Sequence, residues 1–340
     1  MDNTGAMGGA GGTGAMGGAG SAGAMGGAGS AGGARQLKPN KRLAGIMKNW
    51  ELYLLLLPPL AYFIIFCYWP MYGVVLAFKN FRIADGIMGS PWVGLKHFQT
   101  FFKSIYFERV IKNTVGISAY SLIAGFPIPI ILALMMNELR SKWFKKTVQT
   151  ISYAPYFISQ VVMVGMIIIF FSPFDDGLVN KVVQLFGHAP IPFMTDPRYF
   201  HSIYVWTGVW QSAGWGTVIY MAVLSNVDAQ LIEAAIIDGA NKLQRILYIN
   251  IPCILPTVVL LFILSAGGIM SVGFEKIFLM QNALNMDASD VISSYVYRVG
   301  LQQIKYDFGT AIGLFNSVIN LIILVIVNEI AKRVNETSLW

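Results

Sequence analysis

Six continuous apolar runs constrain this chain more than any other feature: residues 52–78, 113–136, 148–171, 204–224, 255–274 and 310–330. A helix needs ~20 mostly apolar residues to cross the hydrocarbon of a bilayer, and each run is long enough. The runs are continuous rather than alternating, which argues against a barrel. Only 12% of the 340 residues are charged and 55% are apolar. A soluble domain carries roughly 25% charged residues and could not cover its surface with half of that. Two cysteines exclude a disulfide scaffold, and the apolar fraction excludes a disordered chain. The fold class expected is an all-α membrane protein with six transmembrane helices.

Residues 1–34 are almost entirely Gly, Ala, Met and Ser, with GAMGGAG repeated at 5–11, 14–20 and 23–29. Such a segment buries too little surface to offset its ordering entropy. It lacks the basic and leucine-rich regions of a signal peptide, and a mis-assigned start would also explain it. The division expected is a disordered tail over 1–42 and a transmembrane domain over 43–340.

Net charge is +7. In a soluble protein that would hint at nucleic acid; here Lys and Arg mark the cytoplasmic ends of spans. Arg35, Lys38, Lys41, Arg42 and Lys48 precede the first run. Arg140, Lys142, Lys145 and Lys146 lie between the second and third, against Glu138, and Lys332 and Arg333 follow the last. All fall on one side if six helices weave through. This predicts a multi-pass protein of the cytoplasmic membrane with both termini cytoplasmic. The segment 79–112 then lies outside, although it carries six basic side chains against two acidic ones.

The link between the fourth and fifth runs carries the strongest local pattern. Asp228 is placed to cap a short helix through Glu233, Ala234, Ala235, Ile236 and Ile237, and Gly239 supplies a position for positive φ. A second amphipathic helix is expected over 241–250, ended by Pro252. The result is a helix–Gly–helix hairpin whose Ile236 and Ile237 lack an evident intrachain partner, a shape suited to another protein's groove.

Glu233-Ala234-Ala235, Asp238-Gly239-Ala240 and Ile249-Asn250-Ile251-Pro252 resemble the EAA loop of binding-protein-dependent ABC importer permeases, with Ile251 where Leu is usual. The resemblance covers nearly all of the chain from Leu43. GSPWVGLKHF at 89–98, APYFIS at 154–159, DGLVN at 176–180, GFEKIF at 273–278 and SYVYRVG at 294–300 are similar to the carbohydrate-importing branch that serves oligo- and polysaccharide uptake. The resemblance implies a MetI-like permease fold, a second permease subunit paired as a heterodimer, two cytoplasmic ABC ATPase subunits and an extracytoplasmic solute-binding protein. It also implies that Glu233 and Gly239 lead an ATPase-coupling set with Ala234, Ala235 and Asp238.

The chain contains no phosphate loop and not even a Gly-Lys dipeptide. ATP is therefore expected on partner subunits, and the chain itself is read as a non-enzyme without cofactors. His97, His188 and His201 are scattered, and Cys67 and Cys253 are expected to be free, so no metal site is expected.

Sugars are gripped by aromatic faces and by amides or hydroxyls. Intramembrane polar groups are candidates for contacting them. Trp206, Trp210, Gln211, Trp215 and Tyr220 in the fourth run, Glu275 after the fifth, and Asn316 and Asn320 in the sixth are the substrate-binding candidates. Interfacial belts and interhelical packing are the competing roles for these residue types. The basic outer segment points to an acidic, uronate-type oligosaccharide, with lipid headgroups or an acidic binding protein as competing partners. A secondary transporter or channel working without ATP is the alternative function. It should show inverted repeats or a proton relay, and a membrane-embedded enzyme should show a His, Asp or Cys cluster. The chain displays none of these.

Overall fold

A computed structural model describes residues 49–174 and 177–335. The Gly/Ala-rich tail with Arg35, Lys38, Lys41, Arg42 and Lys48 lies outside the described residues, as do Asp175 and Asp176. The described chain falls into two units, divided after Tyr62.

In the first unit, α1 (Trp50–Tyr62) contains Pro58 and Pro59 and buries none of its residues. Leu52, Leu54, Leu55 and Leu57 are all exposed. A helix apolar on every side suits a lipid or partner environment, not water.

The second unit begins with helical turns over Phe63–Phe78. It continues with α2 (Lys96–Phe102), α3 (Phe107–Gly125) and α4 (Pro127–Asn137). Pro127 stands in the first turn of α4, where a missing N–H breaks no bond of that helix. Phe126 keeps helical dihedrals between the two, so Phe107–Asn137 forms one candidate span.

The third apolar run is not one straight helix, contrary to the expectation for 148–171. α5 (Lys142–Tyr153) passes through a tight turn at Ala154–Phe157, and α6 (Gln160–Phe170) departs at 97°. Pro155 removes a donor at the break. Ile158 and Ser159 are extended, and the Ser159 hydroxyl accepts from the Val162 N–H to cap α6.

After α7 (Leu178–Leu185), α8 (Pro197–Leu224) is a 28-residue helix capped by Asp196, whose carboxylate accepts from the Arg198 N–H at 3.0 Å. α8 is the central element, packed against α3, α4 and α5. Val205, Val209 and Ala213 are buried against Tyr120, Ala124, Ile128 and Leu132. Small residues permit this closeness: a Cβ on Gly214 would overlap the Ser152 carbonyl of α5. Without a hydrophobic drive between helices in lipid, such close van der Waals packing holds them together.

α9 (Ala229–Ile237) and α10 (Lys242–Arg245) form the anticipated hairpin. The second arm differs from expectation. Pro252 does not end it: α10 runs through π turns at Ile246–Asn250 into α11 (Ile251–Gly267), a candidate span over Lys242–Gly267. Pro252 sits in the first turn of α11, and the wider turns before it take up the missing donor.

The fifth span ends earlier than the expected 255–274. The chain leaves the helix at Gly268, and the Met270 N–H is satisfied by Asn320 Oδ1 at 2.9 Å. α12 (Phe274–Met280), α13 (Ile292–Val296) and α14 (Tyr306–Asn335) follow. Among the described residues four helices are long and apolar enough to cross a membrane, or up to six if each of two bent pairs, Lys142–Phe157 with Gln160–Phe170 and Pro197–Leu224 with Ala229–Ile237, is one span. Among the described residues the structure is all-helical apart from an isolated bridge between Lys79 and Trp92.

Candidate translocation groove and coupling hairpin

Two adjoining cavities of about 550 and 450 Å³ share Ser121, Gly125, Tyr204, Ser212 and Gly273, so they form one groove along α3 and α8. The larger part presents five serine hydroxyl positions, Ser118, Ser121, Ser212, Ser265 and Ser271, beside Tyr156, Tyr204, Trp215 and Tyr220. Trp215 stacks flat on Tyr156, with centroids 4.8 Å apart and planes 9° from parallel. Aromatic faces beside hydroxyls match the alternating apolar and polar surfaces of a sugar ring.

The smaller part holds Gln160, Gln211, Glu275 and Lys276. Gln211 donates to the Ile158 carbonyl at 2.8 Å, bridging α8 to the break between α5 and α6, and accepts from Gln160 at 3.2 Å.

The candidates therefore separate. Gln211, Trp215, Tyr220 and Glu275 line the groove, although Tyr220 is only 3% exposed. Trp206 and Trp210 share a face as their spacing required. That face is half-exposed and does not line the groove, and Trp206 donates to the Tyr120 hydroxyl at 2.8 Å. Asn320 holds the end of α11 through Met270 and the Ser271 hydroxyl, and Asn316 lines neither cavity.

Sequence reasoning missed the serines, Tyr156, Tyr204 and Lys276. Ser118 and Ser121, three apart in an uncharged run, were a legible signal for a polar stripe. Lys276 was visible as a cation at the edge of an apolar run, but nothing local shows which way it turns.

On the hairpin, Asp228 accepts from the Gln230 N–H at 2.9 Å and caps α9. Gly239 has φ +81°, and no atom lies within 4 Å of where its Cβ would be, so the backbone angle alone selects glycine there. Ile236 and Ile237 are exposed. Ala235, Asp238 and Gly239 border a hollow of about 340 Å³, while Glu233 and Ala234 face outward beside it.

The outer segments are tied by charge. Arg109 pairs with Asp287 at 3.1 Å and with the fully buried Asp290 at 2.8 Å, and Arg298 meets Asp290 at 2.8 Å. Arg82 and Arg198 are paired with Asp85 and Asp196. The positive excess of the segments read as external thus rests on lysines rather than arginines.

Residues 125–336 match the family model described as "Binding-protein-dependent transport system inner membrane component". The chain is 39% identical to LplB of Bacillus subtilis (strain 168) over 88% of its own length and 93% of that protein. It is equally 39% identical to YteP of the same organism, a polygalacturonan/rhamnogalacturonan transport system permease protein, over 89% of this chain and 94% of that one. In structure it is similar to a chain of a bacterial ABC transporter involved in the import of the acidic polysaccharide alginate. That match has TM-score 0.80 and 41% identity, covering 87% of this chain and 100% of the other. The EAA-type hairpin, the helical spans and these matches over most of the chain lead to one conclusion: the protein belongs to the binding-protein-dependent ABC importer permease family.

Proposed function

We propose that the chain forms one wall of the translocation pathway of an ATP-driven importer for acidic oligosaccharides of the uronate type. The groove carries this reading: the Trp215–Tyr156 stack offers a sugar a face and the serines offer its hydroxyls partners. Two relatives transport or import acidic polysaccharides by their descriptions, polygalacturonan/rhamnogalacturonan and alginate, which supports the substrate class.

A second, similar permease completes the pathway and two ABC ATPases dock on the hairpin. An extracytoplasmic binding protein delivers the sugar; this reading is supported by a similar solved structure, a bacterial alginate ABC transporter in complex with an alginate pentasaccharide-bound periplasmic protein. The setting is the cytoplasmic membrane with both termini inside, and ATP is bound by the partners. Closure of the ATPases moves α9 and shifts the permease pair between inward- and outward-facing populations. Glu233 contacts the ATPase groove and Gly239 shapes the turn.

The test is uptake by the reconstituted complex of permeases, ATPases and binding protein. ATP-dependent accumulation of oligogalacturonate is expected. Accumulation without ATP would favour a secondary transporter, and import of neutral oligosaccharides alone would end the acidic reading.

A further inference from the structure

Lys276 is the one buried cationic side chain among the described residues, 6% exposed, and none of their carboxylates pairs with it. Its ammonium donates to the Tyr204 carbonyl at 2.8 Å and to the Thr207 hydroxyl at 2.9 Å, and it lies 4.7 Å from the centre of the Tyr204 ring. These contacts leave one of its three N–H donors uncommitted. The cavity wall that includes Lys276 also includes Gln160, whose Oε1 is buried without a hydrogen-bond partner.

A buried charge without a counter-ion is costly, whereas an amide or hydroxyl could tether the Tyr204 carbonyl without that cost. An unfilled donor on a cation and an unfilled amide acceptor on one wall describe half of a binding site. The ligand that completes it carries an anionic group for the ammonium and a hydroxyl for Gln160.

We propose that Lys276 is the specificity-determining residue of the groove, binding the carboxylate of a uronate unit while Gln160 Oε1 accepts from a ring hydroxyl. This rests on the transport reading above. It adds which side chain distinguishes charged from neutral sugar inside the permease, apart from any selection by the binding protein. Glu275, next in the chain, lines the same cavity with an exposed side chain and meets sugar hydroxyls rather than the carboxylate.

The experiment uses the reconstituted complex with saturating loaded binding protein, so that capture does not limit the rate. The probes are a galacturonate pentamer and its carboxyl-reduced neutral counterpart. Lys276→Gln is expected to lower uptake of the uronate about tenfold, the order of one charge-assisted hydrogen bond, and to change the neutral sugar less than about twofold. Lys276→Arg is expected to keep the preference for the uronate. An equal fall for both sugars in Lys276→Gln, or no fall for the uronate, overturns the proposal.

Should Lys276→Gln fail to assemble, Thr207→Val decides the matter. It removes a tether that positions the ammonium, so uptake of the uronate should change while that of the neutral sugar changes less than about twofold, and an equal change for both would assign Lys276 to packing alone. A wild-type complex that imports neither probe would defeat the transport reading itself, whereas import with unchanged selectivity in Lys276→Gln defeats only the role of Lys276.

Discussion

Arg245 of the coupling hairpin donates to the carboxylate of Glu138 at 3.1 Å, joining α10 to the end of α4 across 107 positions of sequence. Both side chains are largely buried, and Asn250 approaches the other Glu138 oxygen at 3.5 Å. Hairpin and second span are thus linked by a charged clasp, which on the proposed function is the route by which ATPase motion reaches a helix that borders the groove. Glu138→Gln is expected to lower substrate-stimulated ATPase and transport roughly three- to tenfold, as one charge-assisted bond requires. The charge exchange Glu138→Arg with Arg245→Glu should recover part of the loss. A double variant no better than the worse single one would show that the clasp transmits nothing.

Gly239 and Glu233 separate shape from contact on the hairpin. At φ +81° an alanine fits the open space but strains the backbone, so Gly239→Ala should cost about 1 kcal/mol and retain partial transport. Gly239→Pro cannot reach that angle and should abolish coupling. Glu233→Lys should leave the permease folded and weaken ATPase docking, read by co-purification. Wild-type transport and ATPase stimulation in Glu233→Lys would contradict its assigned contact.

Gly214 fixes the approach of α8 to α5. Its Cβ would collide with the backbone carbonyl of Ser152, which cannot swing aside as a side-chain tip can. Gly214→Ala should therefore destabilise the detergent-solubilised protein by about 1–3 kcal/mol, seen as a lower Tm. Gly313, with nothing within 4 Å of its Cβ position, provides the control: Gly313→Ala should leave Tm nearly unchanged.

The cap of α8 gives a pH test. Hydrogen bonds from Arg198 hold the Asp196 carboxyl below its ordinary value of 3.8. A carboxyl depressed in the folded state stabilises the fold above its unfolded pKa, and that contribution fades as pH falls toward the folded value. Asp196→Asn keeps a capping oxygen but loses the charge. Its Tm deficit should be constant from neutral pH to about 5 and shrink below about 4. A deficit that grows on acidification would reverse the sign and refute the assignment.

The apolar runs, the hairpin's Asp228 cap and its Gly239 turn were legible because each depends on neighbours a few residues apart. Run length, capping chemistry and backbone angle are local properties. The EAA-type pattern carried the family for the same reason.

The tertiary structure decided what depends on partners far along the chain. Pro155 could kink a span or break it, and the extended backbone at Ile158 and Ser159 made it a break of 97°. Pro252 has the chemistry of a helix end, yet the π turns before it carried the helix onward. Asn320 had the character of a pore residue, but the free Met270 N–H recruited it as a cap. Lys276 was visible as a cation at the edge of an apolar run, but its burial had no local signal, since Tyr204 and Thr207, some seventy positions away, supply its partners. A sequence determines which residues must leave water and how each segment winds. Which polar groups then meet, and which are left facing the groove, is settled only when the helices pack.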